Sequence, residues 1–177
     1  ETLSQTLSDP TSDHSSIQKL IDSAVRRANT AVHEAAAATE RRGMGATLTA
    51  VLFHGSDAFI AEVGDSRGYL LRSKRLRQLT RDQTFVQSLV DAGVMTPEEA
   101  RVSERKNLIL QAMGKDKDVQ VSIGRLKLRR GDRILLCCDG ISNNVTDAEL
   151  ETILAVDNST EICDRLIALA NDRGGDD

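Results

Sequence analysis

The sequence predicts an α+β layered fold in which antiparallel sheet is flanked by helices. Three features of the 177-residue chain carry that expectation. A long helical period stands near the start. After Gly43 the apolar period shortens to two or the run becomes continuously apolar, and the runs are joined by short turns. Helical periods then return in groups instead of alternating one for one with strands, which disfavours a parallel β-α-β sheet.

Each element has its own signal. Residues 1–14 are rich in Ser, Thr and Asp and read as a loop. From Ser15, Ile17, Leu20, Ile21, Ala24, Ala28, Ala31 and Val32 recur at helical spacing, and alanines 35–38 extend the run. Asp13, Ser15 or Ser16 can cap this helix. Gly43 is expected to end it after about 27 residues, with Arg41 and Arg42 in the last turn. Residues 47–53, 58–63 and 69–72 read as strands. The connections His54-Gly55-Ser56-Asp57 and Gly64-Asp65-Ser66-Arg67 are short enough to imply antiparallel neighbours. Residues 83–92 and 97–101 look helical. Residues 119–128 alternate as a half-buried strand does, Gly131-Asp132 is a turn, and residues 133–138 read as a buried strand. Amphipathic helices follow over 147–155 and 160–171, the second capped by Ser159 or Thr160.

Composition narrows the class. With 40% apolar and 28% charged residues the chain has the balance of a globular domain, expected to be a single domain over 1–177. A net charge of −4 disfavours a nucleic-acid partner. The basic group Arg125, Lys127, Arg129 and Arg130 reads as the exposed face of a strand. No run approaches the roughly 20 apolar residues of a membrane helix, and no leader resembles a signal peptide. Cys137, Cys138 and Cys163 are odd in number, and two are adjacent. They read as reduced, mostly buried thiols of a cytoplasmic protein, without a zinc motif.

The chemistry concentrates in acids placed at turns. Asp65 stands between two strands. Asp139 ends the apolar strand Leu135-Leu136-Cys137-Cys138. Asp176 and Asp177 follow Gly174-Gly175. A carboxylate at the mouth of an apolar strand is costly without a compensating charge, and a hard divalent cation is one natural partner. Singly, each Gly-Asp or Asp-Gly is an ordinary turn dipeptide. Their combination and order are more specific.

Gly43-Met44-Gly45-Ala46-Thr47, Gly64-Asp65-Ser66-Arg67-Gly68-Tyr69, Leu79-Thr80-Arg81-Asp82-Gln83, Cys138-Asp139-Gly140 and Gly174-Gly175-Asp176-Asp177 stand in the order of the type 2C metal-dependent protein phosphatases, which the chain resembles from about Ser15 onward. Gly93-Val94-Met95-Thr96-Pro97-Glu98-Glu99-Ala100, with Lys106-Asn107-Leu108 and Ala112-Met113-Gly114, is similar to the bacterial Ser/Thr phosphatase branch. The resemblance implies two antiparallel sheets packed as a sandwich with helices outside, and a metal cleft at one edge. It implies that Asp139 and Asp177 bind one of two core Mn²⁺ or Mg²⁺ ions, and that Asp65 with Asp139 forms a weaker third-metal site. Residues 91–107 resemble a mobile flap beside the site. The implied activity is hydrolysis of phosphoserine and phosphothreonine on proteins by a metal-activated water, and the implied partners are a Ser/Thr kinase and its substrates.

Departures from the pattern set further expectations. The family's first acidic ligand, its phosphate-holding arginine and its Asp-Gly-x-Gly-Gly segment have no counterpart here, and the final Asp-Asn pair stops at Asp177. The sandwich is therefore expected to be incomplete at both termini and the chain as it stands nearly inactive, with the strands at 47–53 and 133–138 uncovered. The rival reading is a non-catalytic or truncated phosphatase-like module that acts by binding protein. A phosphatase for small-molecule phosphates is a third. His14, His33 and His54 lie in unrelated contexts and read as structural, and no glycine run has the Lys-Ser/Thr of a P-loop.

Overall fold

The computed structural model describes residues 13–37 and 39–175. These form helix α1 (His14–Ala36), a 3₁₀ turn (Thr39–Arg41), strands β1 (Leu48–His54), β2 (Asp57–Val63), β3 (Arg67–Arg72) and β4 (Arg75–Gln78), helices α2 (Phe85–Asp91) and α3 (Pro97–Val102), strands β5 (Ser122–Lys127) and β6 (Arg133–Cys137), and helices α4 (Asp139–Ser142), α5 (Asp147–Leu154) and α6 (Ser159–Asp172).

The strands make two three-stranded antiparallel sheets, ordered β1-β2-β5 and β4-β3-β6. Their facing sides share one cluster: Ala58, Ile60 and Leu126 from the first sheet meet Leu70 and Ile134 from the second. The far side of the first sheet packs Val63 and Leu48 against Ile21 and Val25 of α1. The far side of the second packs Tyr69 and Leu71 against Leu150, Leu154, Ile162 and Leu166 of α5 and α6. The layers are thus helix, sheet, sheet, helix, as expected. β2 is buried along its whole length, because one face meets α1 and the other meets the second sheet. Its continuous apolar run follows from that position. β1 and β6 each have a single sheet partner among the described residues. Phe53 is 60% exposed and Leu136 41%.

Several local expectations need correction. α1 ends at Ala36, short of Gly43; its buried residues are Ile17, Val25 and Asn29, and a 3₁₀ turn follows at Thr39–Arg41. Asp13 is its cap, accepting from the Ser16 amide at 2.6 Å. β2 and β3 are not sheet neighbours. Gly64-Asp65-Ser66 carries the chain from one sheet to the other. β4 had no sequence signal, since Leu76 is its one apolar residue. It closes a hairpin through Ser73 and Lys74, both at positive φ, without the usual glycine or asparagine. α6 is capped by Asn158, one residue before the expected positions. β6 is half-buried, and Cys138 and Cys163 are exposed, so the thiols are less buried than their type suggests.

Candidate active site

Register brings two of the expected acids together. In the β3–β6 pair Arg67 stands opposite Cys137. Asp65 lies two residues before Arg67 and Asp139 two residues after Cys137, so antiparallel pairing delivers both to the same end of the second sheet. Both border one cavity of about 390 Å³. Asp139 opens α4, where Cys138 occupies the cap position, and its carbonyl accepts from the Asn143 amide at 2.8 Å. Asp177, the third expected ligand, lies outside the described residues. The helix that leads to it is tied down nearby: Arg173 donates to the Asn144 carbonyl at 2.7 Å and to both Glu149 oxygens at 2.9 and 2.6 Å. That guanidinium, with the Thr146 amide and hydroxyl, draws the Glu149 carboxyl down to about 2.

The Asp65 turn is held on both flanks. Gly64 has φ +107°, and a Cβ there would lie 2.6 Å from Thr47 Cγ2, so only glycine fits. The Gly64 amide donates to Gln83 Oε1 at 2.8 Å, and the Gln83 amide donates to the Gly64 carbonyl at 2.8 Å. Past Asp65, the Ser66 hydroxyl bonds Thr47 Oγ1 at 2.7 Å and the Ser66 carbonyl accepts from Thr49 Oγ1 at 2.7 Å. Arg67 forks onto Asp82 at 2.8, 3.1 and 2.6 Å and reaches the Tyr69 hydroxyl at 3.1 Å. Burial opposes the Arg67 charge, but the bonds and charge of Asp82 outweigh it and raise its pKa. Glu62 points into the sandwich and accepts from the Arg81 amide with both oxygens at 3.0 Å. Burial, with Asp82 close by, pushes its carboxyl up to about 7 against the pull of that amide.

The opposite wall is the segment resembling a flap. α2 and α3 contribute Val86, Gln87, Pro97, Ala100 and Arg101, and Lys106 and Asn107 follow. Arg101 sits 3.7 Å from Asp147 at the start of α5. Carboxylate, amide and hydroxyl groups line the cavity beside the cations Arg67, Arg101 and Lys106 and several apolar side chains, with neither cysteine nor histidine among its described lining residues. Such oxygen donors suit hard cations. Two carboxylates are a partial donor set: the described residues contain no group of three or more His, Cys, Asp or Glu able to hold an ion. The roles of Arg67, Asp82, Gln83 and Arg101 were not legible in sequence. Those of Arg67, Asp82 and Gln83 follow from which turns pair, and that of Arg101 from the placement of α3 beside the start of α5, and no spacing encodes either.

The chain is similar to known proteins over most of its length. The family model for protein phosphatase 2C matches residues 1–173. The serine/threonine protein phosphatase PstP of Mycobacterium tuberculosis is 43% identical over 158 residues, covering 89% of this chain and 30% of its own length. The serine/threonine phosphatase stp of Listeria welshimeri is 43% identical over 136 residues, 76% of this chain and 54% of its own. The chain therefore spans between about a third and about half of these relatives. The crystal structure of PstP superposes with a TM-score of 0.87 at 41% identity, covering 99% of this chain and 74% of that one. The PstP catalytic domain in complex with two manganese ions gives 0.83 at 39% identity, covering 98% and 76%. With this match running almost end to end, the chain belongs to the protein phosphatase 2C family.

Proposed function

We propose that the protein is a hydrolase that removes phosphate from phosphoserine and phosphothreonine on other proteins, using Mn²⁺ or Mg²⁺. The observation that carries this reading is the convergence of Asp65 and Asp139 at one end of the β3–β6 pair, beside a cavity lined by oxygen donors. Two relatives named as serine/threonine phosphatases and one solved with two manganese ions support it. On this reading residues 1–177 are phosphatase catalytic domain. Asp139 holds a core ion together with Asp177, and Asp65 with Asp139 holds a weaker one. When bound, such ions lower the pKa of a water and polarise the phosphoryl group. The chain's own residues place the carboxylates, and the flap wall with Arg101 and Lys106 receives an anionic substrate. The natural partners would be a Ser/Thr kinase and its phosphorylated substrates. The three free cysteines suit a reducing cytoplasm.

The test uses the protein at its full natural length. Asp139→Asn is expected to lower Mn²⁺-dependent phosphate release from a phosphothreonine peptide by at least about 100-fold while far-UV circular dichroism is unchanged. Turnover close to the parent's at saturating Mn²⁺ would sink the assignment.

A further inference from the structure

We infer that Gln83 is a positioning residue for Asp65: it sets the backbone of the inter-sheet turn and thereby the metal affinity of that carboxylate. The inference rests on the proposed role of Asp65 as a ligand and goes beyond it. Gln83 grips Gly64 twice, its Oε1 accepting from the Gly64 amide and its own amide donating to the Gly64 carbonyl, each at 2.8 Å. Gly64 is buried and directly precedes Asp65, so both peptide units that fix the start of the Asp65 backbone are held by one residue. The same residue is anchored elsewhere. Its Nε2 reaches Ser122 Oγ at 3.2 Å and the Gln120 carbonyl at 3.3 Å, and its own carbonyl accepts from the Leu110 amide at 2.8 Å. Leu110 lies where the chain returns from the flap, and the neighbouring Thr84 pairs with Ile109. Gln83 therefore ties the Asp65 turn to β5 and to the base of the flap. Groups that orient a ligand from behind are commonly worth 10–100-fold in metal affinity.

The experiment is calorimetric titration of the full-length protein with Mn²⁺ alone, comparing the parent with Asp65→Ala, Gln83→Leu, Gln83→Asn and Gln83→Glu. Asp65→Ala identifies the class of binding that depends on this carboxylate. Gln83→Leu has no acceptor for the Gly64 amide and Gln83→Asn is one methylene too short. Both are expected to weaken that class by about tenfold and leave the tighter class alone. Gln83→Glu keeps the acceptor for the Gly64 amide and gives up only the donation to the Gln120 carbonyl, so it is expected to bind Mn²⁺ more tightly than Gln83→Leu and Gln83→Asn, an order that a general loss of stability would not produce. If Asp65→Ala leaves every binding class unchanged, the ligand reading fails and the inference falls with it. If Asp65→Ala weakens binding while Gln83→Leu and Gln83→Asn do not, or if Gln83→Glu weakens it as much as they do, the inference alone is overturned. Should Gln83→Leu fail to fold, Gln83→Asn and Gln83→Glu still decide.

Discussion

The two walls of the cavity are built by opposite means. On the sandwich side, the turns at 64–68 and 79–83 are cross-linked by the Gly64–Gln83 pair, the Arg67–Asp82 fork and the Gly68–Thr80 bond, and Thr47, just before β1, and Thr49 within it hold Ser66. On the flap side, α3 has no buried residue, Val102 is 83% exposed and Val94 72%. The flap's side-chain contacts include a capping box at Thr96, the exposed Arg81–Asp91 pair at the end of α2, and Arg101 against Asp147, while its chain ends are held by the Thr84–Ile109 bridge and the Phe85–Leu108 backbone bond. The difference teaches a division of labour. On the proposed function, groups that hold a cation must not move, and Asp65 sits where hydrogen bonds converge. On the same reading, groups that meet substrates of different shape sit on α3, an element with little buried area to hold it, as expected of a segment that opens at low free-energy cost.

If that contrast is real, the largest effect should come from the sandwich wall. In Arg67→Ala, Asp82 keeps its nearly buried carboxylate and loses the guanidinium that compensates it. Breaking one partner of such a pair is expected to cost about 3 kcal/mol, since an uncompensated charge remains. Urea denaturation measures it. A loss below about 1 kcal/mol would mean the turns are held mainly by their backbone bonds.

The sequence made much of this architecture legible and little of its wiring. Helical periods, two-residue periods and short continuous apolar runs found α1, α2, α3, α5, α6 and five strands, because most of these elements set apolar residues against a neighbouring layer. β4 escaped because it is an edge strand whose Arg75, Arg77 and Gln78 face solvent. The inter-sheet crossing escaped because a tight turn between two strands reads as a hairpin, and only the partners of Gly64 and Ser66 reveal otherwise. Asp65 and Asp139 could be named from their motifs. Their convergence depends on the β3–β6 register, a pairing between residues 70 positions apart that no local pattern specifies. Asp177 was named the same way and lies outside the described residues.

A second prediction sharpens the account of the sandwich wall through pH. Glu62 sits between the sheets with its carboxyl pushed up to about 7 by burial, against 4.5 for an ordinary glutamate. Between those values the folded protein holds a proton that the unfolded chain has released. The Glu62 contribution is therefore fully present below about pH 4.5 and is lost as pH rises towards 7. The expected loss is on the order of 1–3 kcal/mol. Glu62→Gln cannot ionise, so the stability of this variant relative to the parent should climb over that range. Urea midpoints at pH 5 and pH 7.5 compare the two directly. A constant difference would show that Glu62 titrates normally and that the Arg81 amide compensates its charge in full.

The smallest expected effect lies on the other wall. Arg101 and Asp147 are 3.7 Å apart, with side chains 69% and 59% exposed. At that separation the guanidinium makes no short, directed bond, and water screens what attraction remains. Holding both side chains in one geometry also costs rotamer entropy. Arg101→Ala should change global stability by less than about 0.5 kcal/mol, within the range of ordinary surface substitutions. Its effect should appear instead in hydrogen exchange of the α3 amides, which lose this side-chain tie to α5, and in weaker capture of an acidic phosphopeptide at low salt. A loss as large as that of Arg67→Ala would erase the contrast, since it would place the flap among the rigid parts of the domain. Unchanged exchange in α3 would mean that the flap is positioned by its chain ends at Thr84 and Ile109 alone, and that the ion pair is incidental.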